Sequence, residues 1–315
     1  MLSSQSEWVP RLLQLPALLQ KRSCFLLGPR QTGKTTLVRR TLPAARVYDL
    51  LDTSVYLALN QHPGRIAQEL GDRFELQRTV ERGLLPSIYF SDNPQADLQA
   101  YAGLYLQQEV VAEGATRNVP AFSRFLKVAA HCNGTIVNFT NIASDAQVAR
   151  TTIYEYFDIL KDTLVLHELP AWRKTTKRKP LASSKYYFFD VGVVACLQGR
   201  IFRPGTPEFG EAFETFLMHE LVSYRDYVSG EPLSYWRSAS GFEVDFILGD
   251  HTAIEVKAKE TVSPQDLKSL QALAEEKRLK RYLCVTLEPR TRRIGNVAVL
   301  PYRTFLTGLW SGEYR

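Results

Sequence analysis

Apolar residues recur along this chain in several rhythms, and each predicts a different kind of element. Leu12, Leu13, Leu15, Leu18 and Leu19 fall on one side of a helix, so residues 1–22 read as a helical lead-in. Cys24, Phe25, Leu26 and Leu27 form an unbroken apolar run suited to a buried strand. Leu37, Val38 and Leu42 then return at helical spacing. A second strand is expected at Arg46–Asp49, followed by a loop and a short helix up to Leu70. From Phe74 to His131 the helical rhythm dominates. Tyr101, Leu104, Tyr105 and Val111 make one stripe, and Phe122, Phe125, Leu126 and Ala129 another. Gly83-Leu-Leu-Pro86 breaks the run as a loop.

Residues 134–189 have the pattern of a winged helix-turn-helix. Asn141–Asp145 is the first helix, Val148-Ala-Arg150 the turn and Thr151–Leu160 the second helix, capped by Thr151 or Thr152. Thr163–Leu169 and Lys185–Phe189 are the expected wing strands. A basic run lies between them: Arg173, Lys174, Lys177, Arg178 and Lys179. Two readings stay open. The second helix and basic wing contact DNA, or the unit only places its neighbours. Glu155, Asp158 and Lys161 on the helix's outer face make a poor set for facing phosphate.

The last third changes rhythm again. Gly210–Glu214 is expected to open a helix whose core face is Phe213, Phe216, Leu217, Leu221 and Tyr224. Beyond Tyr235-Trp236-Arg237, two runs alternate as strands do. Val244, Phe246 and Leu248 share one face and Glu243 and Asp245 the other; Ile254 and Val256 alternate with Glu255 and Lys257. A three-residue loop at Gly249–His251 sets Asp245 opposite Glu255 and Glu243 opposite Lys257. A two-residue loop would set Asp245 opposite Ile254 and spoil both faces, so the three-residue register is predicted.

Composition narrows the class. With 315 residues, 45% hydrophobic and 23% charged, the chain is long enough for two or three ordinary globular domains. A net charge of +6 suits a nucleotide or nucleic-acid binder without requiring one. Cys24, Cys132, Cys196 and Cys284 are scattered without a CxxC pair, which predicts buried thiols of a reducing compartment, not disulfides or a zinc site. The opening MLSSQSEWVPRLLQLP lacks a long apolar core, and no run reaches membrane-spanning length. The expectation is a cytoplasmic protein without a signal peptide.

Two constellations carry chemistry. Gly28-Pro29-Arg30-Gln31-Thr32-Gly33-Lys34-Thr35-Thr36 fits the phosphate-loop pattern, between a strand and a helix as that motif needs. Its glycines let backbone N–H groups turn inward toward phosphate, and the helix adds its positive N-terminal end. Lys34 is expected to reach the β- and γ-phosphates of ATP, and Thr35 to ligate Mg²⁺. No run of four apolar residues followed by Asp-Glu, which would complete such a site, occurs along the chain. Tyr186-Tyr-Phe-Phe-Asp190 comes nearest, but Val191-Gly192 follow it. The second constellation is Asp245, Glu255 and Lys257. Adjacent acids repel unless a cation lies between them, so Asp245, Glu255 and a backbone carbonyl are expected to hold Mg²⁺. Lys257 then orients a water or stabilises phosphorane charge, with Glu214 as a further ligand or base. The alternative is a solvated hairpin face of cross-strand ion pairs.

Taken together, these motifs resemble bacterial and archaeal AAA-type ATPases fused to a C-terminal domain of the PD-(D/E)XK nuclease type. The matching residues are Gly28–Thr36, Gly83–Pro86, Tyr154–Leu160, Tyr187–Gly192, Trp236-Arg237, Glu243–Phe246 and Ile254–Lys257. The resemblance implies an α/β protein in three parts. These are a truncated P-loop segment at 1–73, a helical and winged-helix region at 74–200 and a nuclease-like α/β core at 201–315. It implies ATP and Mg²⁺ binding at Gly33, Lys34 and Thr35, a nuclease-like site at Glu214, Asp245, Glu255 and Lys257, and DNA as a partner. The chain departs from the family near Leu70–Gly71, where the Walker B strand, sensor strand and arginine-bearing region are missing. ATP binding is therefore expected without the residues that hydrolyse it, and the oligomeric state stays open. Other readings are a metal-dependent endonuclease with a vestigial P-loop and a non-enzymatic module that binds DNA or protein.

Overall fold

The computed structural model describes residues 13–19, 26, 34–48, 52–55, 57, 75–105 and 118–314. They fall into two compact units, one of residues 1–73 and 85–94, the other of 74–84 and 95–315.

In the first unit, helix α1 (Leu15–Leu19) packs on α2 (Lys34–Thr41), with Leu15 and Leu37 buried. The predicted leucine stripe is not a buried face, since Leu13 and Leu19 are exposed. A helix of five residues is too short to turn more than one leucine toward a neighbour. The second strand predicted at Arg46–Asp49 is absent at Arg46–Tyr48, which are irregular; Asp49 lies outside the described residues. Val47 is exposed there, so no apolar face holds a strand in a sheet. Most of the predicted first strand also lies outside the described residues, as do Leu104, Tyr105 and Val111 as side chains.

The second unit opens with α3 (Leu76–Arg82), followed along the chain by α4 (Pro86–Tyr89) of the first unit and then α5 (Pro94–Ala100). Helix α6 (Val119–His131) buries the predicted stripe of Phe122, Phe125, Leu126 and Ala129. It packs on α7 (Phe139–Ala146), which packs on α8 (Arg150–Asp162). Strands β1 (Leu166–Leu169) and β2 (Lys185–Phe188) then pair antiparallel, with Leu166 opposite Phe188 and Leu169 opposite Lys185. Helix α8 begins after Ala149 without a side-chain cap. The predicted cap residues Thr151 and Thr152 sit inside the first turn, past the position from which a side chain caps. The residues between β1 and β2 are not a projecting wing. Ala171 bridges to Tyr235 and Pro180 to Ser238.

Helix α9 (Val191–Gln198) leads to α10 (Pro207–Tyr224), the longest helix described. Helix α10 starts ahead of the predicted Gly210, because Thr206 accepts the Phe209 N–H and Pro207 favours the first helical turn. Its predicted core residues are all buried. A six-stranded mixed sheet follows in the order β3-β4-β5-β6-β8-β7. The strands are β3 (Leu233–Arg237), β4 (Glu243–Leu248), β5 (Thr252–Lys257), β6 (Arg281–Thr286), β7 (Arg292–Ile294) and β8 (Val297–Pro301). Strands β5, β6 and β8 run parallel, and the other pairings are antiparallel.

Helices cover both faces of the sheet, so its central strands are buried on both sides. On one face α10 and α12 (Tyr302–Trp310) supply Phe213, Phe216, Leu221, Phe305 and Leu309 against Phe246, Ile254 and Val285. On the other, α11 (Lys268–Ala274) supplies Leu270 and Leu273 against Trp236, Val244, Ile247 and Ala253. Among the described residues no helix is long and apolar enough to cross a membrane, and Cys132, Cys196 and Cys284 are free thiols.

Candidate functional site

Strands β4 and β5 pair as Leu248↔Thr252, Ile247↔Ala253 and Phe246↔Ile254, which is the predicted three-residue turn at Gly249–His251. Continuing that register brings Asp245 level with Glu255. The pairing itself stops short of them. The Val256 N–H instead donates to Asp245 Oδ2 at 2.7 Å, so the carboxylate takes the place of a backbone acceptor.

A bulge prepares this position. Ser234 pairs with Ile247 but Trp236 with Val244, so Tyr235 spans both Asp245 and Phe246. The extra residue breaks the strand's alternation. Val244 therefore joins Trp236 and Ile247 on one face, while Phe246 and Leu248 join the cluster on the other. The single face predicted for Val244, Phe246 and Leu248 does not exist for this reason.

With Asp245 itself counted, four carboxylates here face three cations. Lys257 Nζ donates to Glu255 Oε1 at 2.5 Å. Tyr187 Oη donates to Glu214 Oε1 at 2.5 Å, and Lys185 Nζ lies 3.8 Å from the same oxygen. Lys185 also pairs with Glu243, whose other oxygen is 3.1 Å from Arg237 Nη1. The predicted Glu243–Lys257 partnership is thus replaced by Glu243 with Lys185 and Arg237. The bulge ends the regular alternation that would have aligned Glu243 with Lys257.

Burial and mutual repulsion set the charge states. Burial, and then the charge of Asp245, push Glu214 up to about 7. Burial raises Asp245 above the usual carboxylate range, and burial with Asp245's charge carries Glu255 well above it. For Lys257 burial pulls down, but Glu255 and Asp245 outweigh it and hold the ammonium above its ordinary value. Lys185 behaves likewise through Glu214, Asp245 and Glu243. Both lysines are therefore permanent cations near neutral pH, not bases.

The donor chemistry suits a hard divalent cation at Asp245 and Glu255. The two acids are buried and destabilise each other as anions, and Glu255 Oε2 is buried without a hydrogen-bond partner. Among the described residues no three His, Cys, Asp or Glu side chains converge as a metal-binding group. Glu214 is engaged by Tyr187 and Lys185. The sequence reading missed Lys185 and Tyr187. The available signal was a charged residue heading the otherwise apolar strand Lys-Tyr-Tyr-Phe.

In the first unit, Lys34, Thr35 and Thr36 form the opening of α2, where the sequence reading starts its helix. Gly28, Pro29, Arg30, Gln31, Thr32 and Gly33 lie outside the described residues. The structure therefore brings Asp245, Glu255, Lys257 and Glu214 together as one cluster, while most of the Gly28–Thr36 motif lies outside the described residues.

The backbone of the basic run and part of its charge are committed to the protein itself. The Glu276 carboxylate accepts the N–H groups of Thr176 at 2.8 Å, Lys177 at 2.9 Å and Arg178 at 3.0 Å. Arg178 also bonds the Ala272 carbonyl and Glu275, and Lys174 pairs with Asp250. On α8, Glu155 and Asp158 are exposed, and Lys161 pairs with Asp158 at 2.9 Å.

Residues 73–201 match the family model described as Domain of unknown function (DUF8612), and residues 209–305 the one described as Domain of unknown function (DUF4143). The chain is similar to Uncharacterized protein Rv2008c of Mycobacterium tuberculosis and to Uncharacterized protein Mb2031c of Mycobacterium bovis. Each is 25% identical over 208 residues, which cover 64% of this chain and 46% of the relative. The chain thus spans about half the length of the curated relatives it matches. No solved structure matches it. What the comparisons and the fold support together is a mixed α/β chain carrying two domains of unknown function.

Proposed function

We propose that the C-terminal sheet carries a divalent-cation site for phosphodiester chemistry on DNA, in a chain whose N-terminal phosphate loop binds ATP. The observation that carries this reading is the buried Asp245–Glu255 pair with an unpartnered Glu255 oxygen and a protonated lysine beside it. Asp245 and Glu255 would hold Mg²⁺. The ion would polarise a phosphate oxygen and lower the pKa of a bound water. Lys257, locked as a cation, stabilises negative charge gathering on the phosphate and orients the attacking water. Glu214 serves as a further ligand or as a base, its carboxyl shifted toward neutrality. Water adds to phosphorus, the bond to the leaving sugar oxygen breaks, and that oxygen is protonated from solvent.

Under this reading helices α7 and α8 act as a helix-turn-helix that places DNA near the site, without the β1–β2 segment serving as a wing. The family resemblance implies ATP bound by Gly28–Thr36 with Mg²⁺ on Thr35, without the residues that complete hydrolysis. Incubating supercoiled and linear DNA with Mg²⁺ or Mn²⁺ tests the nuclease half. Cleavage by the wild type and not by Asp245→Asn is expected. Equal cleavage by both, or by neither, rejects it.

A binding-only reading has one observation behind it: the absence, among the described residues, of three converging ligands. DNA retention without cleavage, weakening as salt rises, would favour it.

A further inference from the structure

Lys185 belongs to a strand on which no charge is needed. Its neighbours Tyr186, Tyr187 and Phe188 are buried, and its own residue is 3% exposed. Its backbone is fixed by pairing with Leu169 and by a bridge to Ile136. The side chain runs past the Tyr235 ring, with Nζ 5.2 Å from the ring centroid. Tyr235 is in turn anchored to the approach to β2, because its hydroxyl donates to the Ser183 carbonyl at 2.6 Å. A buried ammonium is costly unless paired, and this one meets Glu243 and Glu214. Both partners stand on elements of the C-terminal sheet domain, whereas Lys185 comes from the hairpin before it.

The consequence lies in what Lys185 does to Glu214. Lys185 and Tyr187 both address Glu214 Oε1 and hold that carboxylate toward β2. Among the described residues, no third His, Cys, Asp or Glu joins Asp245 and Glu255 as a metal-binding group. We infer that Lys185 is a tethered counter-ion of this acid cluster, holding Glu214 and Glu243 when no metal is present and giving them up when a divalent cation enters. The β1–β2 hairpin and the cation then compete for one set of acids, so hairpin position and metal occupancy are linked. The inference rests on the reading of the cluster as a cation site.

The test compares Mn²⁺ binding to wild type and Lys185→Met in the full chain, by calorimetry and by the Mn²⁺-dependent rise in melting temperature. Removing the competitor should tighten Mn²⁺ binding roughly tenfold, within the usual range for coupling between two ligands. Asp245→Asn should abolish the response and so locate the ion at this cluster. A readout on the unmutated protein covers failure of Lys185→Met to fold. Lys185 should resist an amine-acylating reagent without metal and become labelled at saturating Mn²⁺, as read by mass spectrometry. Equal or weaker binding by Lys185→Met, or continued protection of Lys185 at saturating Mn²⁺, overturns the inference and leaves the cation site standing. No Mn²⁺ binding by either protein removes both.

Discussion

A Cβ placed on Gly83 would lie 2.2 Å from Oδ1 of Asp190. Gly83 has φ +78° and ψ −172°, a conformation open essentially to glycine alone. The contact is close because the Asp190 carboxylate joins two helices. Oδ2 accepts the Leu84 N–H at 2.6 Å just past α3, and Oδ1 accepts the Val193 N–H at 2.9 Å as the N-cap of α9. Gly192 closes the same joint, since a Cβ there would stand 2.6 Å from the Arg82 carbonyl. The Arg82-Gly83-Leu84 and Asp190-Val-Gly192 stretches are thus two halves of one interlock, and Asp190 is a structural acid. Gly83→Ala is expected to cost about 3–5 kcal/mol and Asp190→Asn about 2 kcal/mol. Urea denaturation checks both; a loss under about 0.5 kcal/mol for Gly83→Ala contradicts the joint.

Asp245 is placed where its own charge is disfavoured. Burial raises its pKa, and the anions of Glu214 and Glu255 are raised in part by its presence. Asp245→Asn keeps an acceptor for the Val256 N–H and removes that repulsion. In metal-free buffer at pH 8 the variant should melt at or above the wild-type temperature, by up to about 1 kcal/mol of stability. Differential scanning calorimetry decides, and a variant less stable by about 2 kcal/mol would assign Asp245 a purely structural role.

Glu276 titrates in the opposite direction. Burial opposes its charge, but the N–H groups of Lys177, Thr176 and Arg178 more than compensate and hold its pKa below the usual value of 4.5. A depressed acid contributes stability that is present above its unfolded pKa and lost as pH falls through its folded one. Glu276→Gln should therefore melt lower than wild type at pH 7, by about 2–3 kcal/mol, and the gap should narrow progressively as pH falls below the ordinary carboxylate value. Thermal melts across pH 3–7 give the comparison. A constant gap down to pH 3 would show that the carboxylate's charge is not what holds residues 176–178.

Lys34 lies in the first turn of α2, partly exposed. Lys34→Ala should abolish or greatly weaken binding of a fluorescent ATP analogue with Mg²⁺, by at least about tenfold, while circular dichroism stays unchanged. Unchanged affinity would detach the phosphate-loop pattern from nucleotide binding. Phosphate release by the wild type would show that the chain also hydrolyses the nucleotide.

Much of the site's skeleton was legible because it is local. The three-residue turn at Gly249–His251 was legible in advance, because only that length keeps the alternating apolar residues nearest the turn in register, as Phe246↔Ile254 and Leu248↔Thr252 show. Helical spacing likewise identified the buried faces of α6 and α10. The sequence also placed the turn between α7 and α8 and the pairing partners β1 and β2.

The tertiary structure alone decided how charge is compensated. The bulge at Asp245–Phe246 depends on how β3 lies against β4, and it divides Val244 from Phe246. Lys185 reaches Glu214 and Glu243, and Glu276 gathers the backbone of the basic run, from distant stretches of chain. Periodicity reports which side of an element is buried, and neighbours along the chain determine that. A buried charge must be balanced by whichever group packing delivers, and that group's place in the sequence follows no period.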